Sequence, residues 1–281
     1  MIKKCIIPAA GIGSRMLPIT KVIPKEALPI VDHPAIFYGV NEIKNSGIEE
    51  IIFITSPDKT PILNFFDYSP LEEKYEEKLK HLSSMIKIIS VRQIFPKGLG
   101  DAIGYGRGIV NEDYFAVLLP DDLIFSPKPV LLQMIEAFEK RPGIYISLME
   151  VDEKDVSAYG IVKGKFVDER VYKIEDLIEK PSIEEAPSRY AIIGRYILPK
   201  EIFDIIENLE AGKKGEIQLT DAIKKAGKKF PIYGYVFEGE RFDTGNKAGF
   251  VKANIKAALE REDTKEDVLN FIKELIEKKK F

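Results

Sequence analysis

"IPAAGIGSRMLPITKVIPKEALPI", residues 7–30, follows the short apolar run "KKCII" and opens as a nucleotide-binding turn does. Gly11 and Gly13 stand where a dinucleotide-binding helix would begin, but the residues after them break that pattern. Met16 replaces the third glycine of G-x-G-x-x-G, and no Gly-Lys-Ser or Gly-Lys-Thr follows at P-loop spacing. Pro18, Pro24 and Pro29 interrupt the stretch, each removing a backbone donor and restricting the residue before it. Arg15, Lys21 and Lys25 are strung between the prolines. Taken alone, the glycine pair fits a plain chain reversal as well as a ligand loop.

The cations shift that balance. Glycines let successive backbone N–H groups form a concave nest for an anion. Arg15 adds a planar fork for phosphate oxygens and Lys25 a movable point charge. Lys21 has no reading better than a solvated charge. Apolar residues Met16, Leu17, Ile19, Val22, Ile23, Ala27, Leu28 and Ile30 alternate with the charges. The expectation is an extended arm packed down on the body, its cations aimed at a triphosphate.

The wider composition suits a folded enzyme. The 281 residues are 45% hydrophobic and 10% aromatic, enough for a sizeable core. Lys plus Arg number 42 against 45 Asp plus Glu, a net charge of −3 that argues against a nucleic-acid binder. Cys5 is the single cysteine, which excludes an intrachain disulfide framework and a multi-cysteine zinc site. No signal-peptide pattern is seen, and no apolar run nears the roughly 18 residues of a membrane span. A cytoplasmic protein without membrane partners is therefore expected.

Strand signals at 49–56, 86–93 and 113–122 alternate with helical patterns at 35–46, roughly 71–82, 99–110 and 128–140. This spacing predicts an α/β fold with a Rossmann-like, mainly parallel sheet flanked by helices. Residues 144–197 read as strands with short turns, antiparallel additions at the sheet edge. Helices are expected over 200–210 and 217–229, a strand over 231–239, and a helical tail over 246–280. The division is one α/β domain, 1–245, and a C-terminal tail, 246–281. The tail's stripe of Val268, Phe271, Ile272, Leu275 and Ile276 either packs on its own domain or makes an oligomer contact.

The segment "PAAGIGSRMLPITKVIPKEALPIVDHPAI" resembles the signature of the sugar-nucleotidyltransferases. Its "TKVIPKEALPIVD" portion is similar to the group of bacterial and archaeal UTP–glucose-1-phosphate uridylyltransferases. Further landmarks follow in the family's order: "VRQ", "GLGDAI", "LLPDD", "YGIV", "EKP", "IGRYIL", "GEIQLTDAI" and "FDTG". The resemblance covers most of the chain and leaves the last thirty or so residues poorly constrained. It implies the nucleotide-diphospho-sugar transferase fold and Mg²⁺-assisted in-line attack of a sugar 1-phosphate on the α-phosphorus of a nucleotide. UTP and glucose 1-phosphate would be the substrates, UDP-glucose and pyrophosphate the products, and a homo-oligomer, dimer or tetramer, the assembly. The lack of a nucleophile–base motif agrees with chemistry done by positioning and charge neutralisation.

The resemblance assigns the parts residue by residue. Asp121 and Asp243 would hold the metal; Asp121 is preferred to Asp122 as the first carboxylate after the strand, at the sheet edge where α/β folds bind ligands. Arg15, Lys25, Asp121 and Lys180 form the catalytic set. Backbone atoms at Ala9, Ala10 and Gly11, with Gly13, Gln93 and Gly98, would hold the nucleotide. A Gln amide offers both a donor and an acceptor to a pyrimidine edge. Asp101 departs from the family, whose members usually carry His there. Gly160, Glu179, Lys180 and Gly194 would bind the sugar phosphate. The alternatives are a sister enzyme for dTTP or another sugar phosphate, or a non-catalytic nucleotide-sensing subunit of the same fold.

Overall fold

The computed structural model describes residues 2–75, 84–212 and 215–278. The first apolar run becomes β1 (Lys4–Pro8), with Cys5, Ile6 and Ile7 fully buried. The proline-rich arm ends in a two-residue hairpin, β2 (Pro29–Ile30) and β3 (His33–Pro34), and leads into α1 (Ala35–Asn45). β4 (Glu50–Thr55) is buried throughout, then come α2 (Thr60–Phe66) and α3 (Leu71–Lys74). Of the helix expected over 71–82, residues 76–82 lie outside the described residues. β5 (Lys87–Arg92) precedes α4 (Leu99–Gly104), which stops well before 110. The glycines at 104, 106 and 108 disfavour its continuation, and Gly108 is left-handed at φ 79°.

β6 (Tyr114–Leu118) and β7 (Asp122–Phe125) are followed by α5 (Val130–Lys140). β8 (Ile144–Glu150), β9 (Gly160–Phe166), β10 (Val171–Glu179) and β11 (Tyr190–Pro199) occupy the expected strand-rich region. α6 (Ile202–Glu207), α7 (Leu219–Ala226), β12 (Ile232–Val236) and β13 (Glu240–Asp243) follow. The tail is two helices, α8 (Lys247–Glu260) and α9 (Lys265–Glu277).

Nine strands form one sheet in the order β5-β4-β1-β6-β11-β8-β12-β10-β9. The expected parallel arrangement holds across β5, β4, β1 and β6, with a further parallel pair, β8 and β12. β11 runs antiparallel between β6 and β8, at the centre of the sheet rather than its edge. Its burial from Ala191 to Pro199 explains that place, because a strand covered on both faces needs a continuous apolar run. Side chains of the parallel strands alternate between two core layers. Ile6, Ile52, Ile54 and Val117 enter one, and Cys5, Ile7, Ile51, Phe53 and Leu118 the other.

The chain builds outward from β1 through β4 to β5, then returns to lay β6 on the other side of β1. Strand order reverses there, and the loops after β1 and β6 diverge to leave a crevice at their carboxyl ends. α8 belongs to the body beside this crevice. Its Ala253 and Ala257 pack with Ile30 and Leu123, and Asn254 Oδ1 accepts the Val31 N–H at 2.9 Å. On α9, Val268, Ile272 and Leu275 are half-buried, while Phe271 and Ile276 are exposed. Among the described residues no helix is long and apolar enough to cross a membrane.

Candidate active site

The arm after β1 is folded into three single 3-10 turns, Ser14–Met16, Ile19–Lys21 and Lys25–Ala27, rather than extended. Pro18 and Pro24 each precede a turn, where a proline's fixed φ is tolerated and its missing donor is not needed. The prolines punctuate the arm instead of straightening it. Its apolar residues also divide: Met16, Leu28 and Ile30 are buried, but Leu17, Ile19 and Val22 are exposed. The middle turn therefore stands off the body, tied to the glycine loop by Thr20 Oγ1 donating to the Gly13 carbonyl at 2.9 Å. Gly13 itself is left-handed at φ 74°, a conformation glycine adopts without strain.

A cleft of about 530 Å³ opens between this loop and the turn after β6, lined in part by Gly11, Gly13, Lys25, Glu26, Gln93 and Asp121. Ala10 and Gly98 also line it. Ala9 is buried, its N–H donated to the Ile54 carbonyl at 2.7 Å as the parallel ladder continues past β1. At Gly98, φ is 99° and a Cβ would lie 2.7 Å from the Ile217 carbonyl oxygen. The glycine is thus required where the start of α4 docks on the 216–217 segment. Gln93 is buried, and its Nε2 donates to Asp101 Oδ2 at 2.5 Å.

Opposing charges meet at the mouth of the cleft. Lys25 Nζ donates to Asp121 Oδ2 at 2.6 Å, and Arg15 reaches Asp243 at 3.4 Å and Asp121 at 3.8 Å. Two distant sequence segments are joined to make this cluster. β13 pairs antiparallel with β7, setting Asp243 opposite Asp122. Thr244 then donates its N–H and its hydroxyl to the Asp121 carbonyl, at 2.8 and 3.0 Å. A Cβ on Gly245 would lie 2.6 Å from Arg15 Nη2 and 3.0 Å from an oxygen of both Asp121 and Asp243. Burial alone would raise the Asp121 carboxyl, but the charge and hydrogen bond of Lys25 hold it below the usual range. Burial would likewise lower Lys25, yet Asp121 carries its ammonium above the ordinary value.

The neighbouring Asp122 is committed to the protein. Its Oδ1 accepts from Arg241 Nε at 2.6 Å and from Arg241 Nη2, and its Oδ2 accepts the Gly194 N–H at 3.0 Å. Burial raises its carboxyl in spite of Arg241. Gly194 has no room for a side chain, since a Cβ would sit 2.6 Å from both Asp122 Oδ2 and Leu119 Cβ.

Gly160 and Glu179 face each other across β9 and β10, and a Cβ on Gly160 would meet Glu179 Oε2 at 3.2 Å. Lys180 follows β10 with φ 47°, an uncommon value for a non-glycine residue, and its N–H donates to the Tyr159 carbonyl at 3.0 Å. Its ammonium is exposed and lies 3.9 Å from Glu179 Oε1. Gly160, Glu179, Lys180 and Gly194 are not among the residues lining the 530 Å³ cleft. The hydroxyl of Tyr159 joins the two regions, accepting from Arg241 Nη1 at 2.8 Å.

Glu26 and Lys59 are the residues that sequence reasoning passed over. Lys59 is 1% exposed, and its Nζ donates to the Gly11 carbonyl at 2.7 Å and to Glu26 Oε2 at 2.9 Å. Glu26 Oε1 is buried without a hydrogen-bond partner among the described residues. A lysine inside "TSPDKTP", just past the carboxyl end of β4, is the only sequence signal for this joint. Arg241 and Tyr159 were also unassigned; both abut landmark residues, in "RFDTG" and "YGIV".

The nucleotidyl transferase family model matches residues 4–260. A UTP–glucose-1-phosphate uridylyltransferase 2 of Staphylococcus saprophyticus is 44% identical over 283 residues, covering 98% of both chains. The UTP–glucose-1-phosphate uridylyltransferase of Bacillus subtilis is 41% identical and covers 99% of this chain and 98% of its own. A UDP-glucose pyrophosphorylase complexed with UDP-glucose superposes with a TM-score of 0.87 at 41% identity, over 93% of this chain and 100% of that one. The UTP-bound UGPase from Acinetobacter baumannii gives 0.89 at 37% identity, over 98% and 100%. With a cleft at the strand-order switch, a glycine turn on one side and a charged cluster at its mouth, this chain belongs to the nucleotidyl transferase family.

Proposed function

We propose that this chain transfers a uridylyl group from UTP to glucose 1-phosphate, giving UDP-glucose and pyrophosphate. The observation that carries the reading is the meeting of Arg15, Asp121 and Asp243 around Gly245 at the switch-point cleft, with Lys25 bonded to Asp121. It occurs in a chain similar over nearly its whole length to uridylyltransferases. Retention of both carboxylates and both cations, in mutual contact, speaks against a non-catalytic sensing subunit.

In this reading the N–H groups of Ala10 and Gly11 face the nucleotide, and Gln93 and Gly98 frame the base. Arg15 and Lys25 flank the triphosphate and neutralise charge as pyrophosphate leaves. Glu179, opposite Gly160, accepts hydrogen bonds from sugar hydroxyls, while Gly194 keeps the wall beside Asp122 flat. Lys180, whose ammonium is exposed beside Glu179, pairs with the sugar phosphate.

The donor set suits a divalent cation, specifically Mg²⁺. Asp121 and Asp243 offer hard oxygens at one point, and among the described residues no third acidic, His or Cys ligand joins them. Such a pair is what Mg²⁺ takes when phosphates and water complete its shell. When bound, the cation would neutralise phosphate charge and orient the reacting oxygens.

The family likeness and the exposed Phe271 and Ile276 of α9 support a homo-oligomer, dimer or tetramer, joined through that helix. A cytoplasmic location agrees with a nucleotide substrate, and no nucleic-acid partner is required. Pyrophosphate release should be measured over a matrix of UTP, dTTP, CTP and GTP against several sugar 1-phosphates. Release strongest with UTP and glucose 1-phosphate is expected. A maximum with another pair would redirect the reading to a sister enzyme, and no release from any pair would overturn it.

A further inference from the structure

Asp101 lies in the first turn of α4, on a frame fixed by backbone bonds. The Gly100 N–H donates to the Ile217 carbonyl at 2.9 Å and the Ala102 N–H to the Gly98 carbonyl at 3.1 Å. The Gln93 backbone is equally fixed, its N–H donated to the Thr55 carbonyl at 2.8 Å. Between these anchors Gln93 Nε2 meets Asp101 Oδ2 at 2.5 Å, and Gln93 is one of the residues lining the cleft. A carboxylate only accepts hydrogen bonds, so it dictates which end of the amide faces it. Turned by 180°, the amide would press Oε1 against Oδ2, oxygen against oxygen. Among the described residues no donor competes for Oε1.

We propose that Asp101 is a positioning residue that locks the Gln93 amide in one orientation and so selects a uracil-type edge over cytosine. The proposal rests on the uridylyl-transfer reading of the cleft. A uracil edge presents an N3–H donor beside an O4 acceptor, and cytosine presents the reverse, an N3 acceptor beside an N4 donor. A glutamine free to turn over can satisfy either base. A glutamine held by a carboxylate keeps one hydrogen of Nε2 and the Oε1 lone pairs in fixed order, and rejects the base that needs the opposite order. Thymine has the same edge as uracil, so Asp101 does not separate UTP from dTTP.

This gives a test that a purely structural role would not pass. In the full-length chain, Asp101→Asn keeps shape but can both donate and accept, which permits the flipped amide. Asp101→Ala, which leaves the amide unheld, is the second variant. Pyrophosphate release with glucose 1-phosphate is measured for UTP, dTTP and CTP. The UTP-over-CTP ratio of kcat/KM should fall roughly 10- to 100-fold, the worth of a hydrogen bond to a charged group, with the UTP-over-dTTP ratio unchanged. Equal losses on all three nucleotides would overturn the proposal and leave Asp101 a structural support. Calorimetric binding of UTP, dTTP and CTP to each variant is run beside the assay. An inactive parent would sink the transfer reading alone, because the binding ratios still decide whether Asp101 sets base choice.

Discussion

Replacing Lys59 with methionine tests the joint on which the glycine loop rests. The side chains of Lys59 and Glu26 are each 1% exposed, so their ion pair has no help from water. Methionine keeps most of the apolar stem but removes the donor to the Gly11 carbonyl and the ammonium bonded to Glu26 Oε2. Taking one partner from a buried pair costs about 3–5 kcal/mol, because the other charge is left uncompensated. At about 2–3 °C per kcal/mol for a chain of this size, Tm should drop by roughly 6–15 °C.

Glu26 has one way to relieve the cost, which is to take up a proton. Burial already holds its carboxyl above the ordinary value while Lys59 pulls it down, so losing Lys59 raises it further. A raised carboxyl binds its proton more tightly in the folded chain than in the unfolded one. The variant should therefore be least impaired below the unfolded value of about 4.3, and lose stability as pH rises through the folded value. Urea unfolding followed by circular dichroism, from about pH 4 to about pH 8, reads this slope directly. Lys59→Met with Glu26→Gln should recover most of the stability and flatten the slope. A single variant within about 1 kcal/mol of the parent at neutral pH, with no added slope, would refute the reasoning.

Asp243→Asn should lower turnover in the presence of Mg²⁺ on the order of 100-fold with the fold unchanged by circular dichroism; near-normal turnover would remove Asp243 from the proposed metal site. Lys180→Ala should raise the KM for the sugar phosphate much more than that for UTP, and equal effects on both would count against its role. Far from the cleft, Glu50 meets Lys87 at 2.6 Å and Lys4 at 3.3 Å, and the Lys87 hydrogen bond holds its carboxyl low against the opposing effect of burial. Its stabilisation is present above the unfolded value of about 4.3 and is lost as pH falls through the lower folded value. Glu50→Gln should thus weaken the chain at neutral pH and flatten the acid limb of its urea midpoints.

The parallel half of the sheet was legible because its strands are continuous apolar runs ended by turn residues, as β1, β4 and β6 show. The central place of β11 was not, since a long buried strand carries no mark of its neighbours. The arm was misread in form for a local reason: prolines forbid a long helix, yet they permit the single turns seen at 14–16, 19–21 and 25–27. Asp121 and Asp243 could be singled out by motif, but their meeting depends on Thr244 bonding the Asp121 carbonyl, a tertiary contact with no sequence period. Lys59 was invisible for the opposite reason. Lysine is almost never fully buried, so sequence reading assigns it to solvent by default.

The adjacent pair Asp121 and Asp122 shows why identity alone leaves a site incomplete. Both come from "LLPDD" and both are near the same charges, yet their surroundings drive their carboxyls in opposite directions. Asp121 is partnered by Lys25, a flexible single-point donor on a loop that can exchange one anion for another. Asp122 is gripped by the planar fork of Arg241 on one oxygen and by the Gly194 backbone on the other. That grip extends through Arg241 to the Tyr159 hydroxyl, and the Tyr159 carbonyl holds the N–H of Lys180. In the proposed reading one aspartate would face the reacting phosphates, while the other would fix the distance between the nucleotide cleft and the strands assigned to the sugar. In-line transfer depends on that distance as strongly as on any charge, because a displacement near 1 Å between reactants is enough to cost about 100-fold in rate.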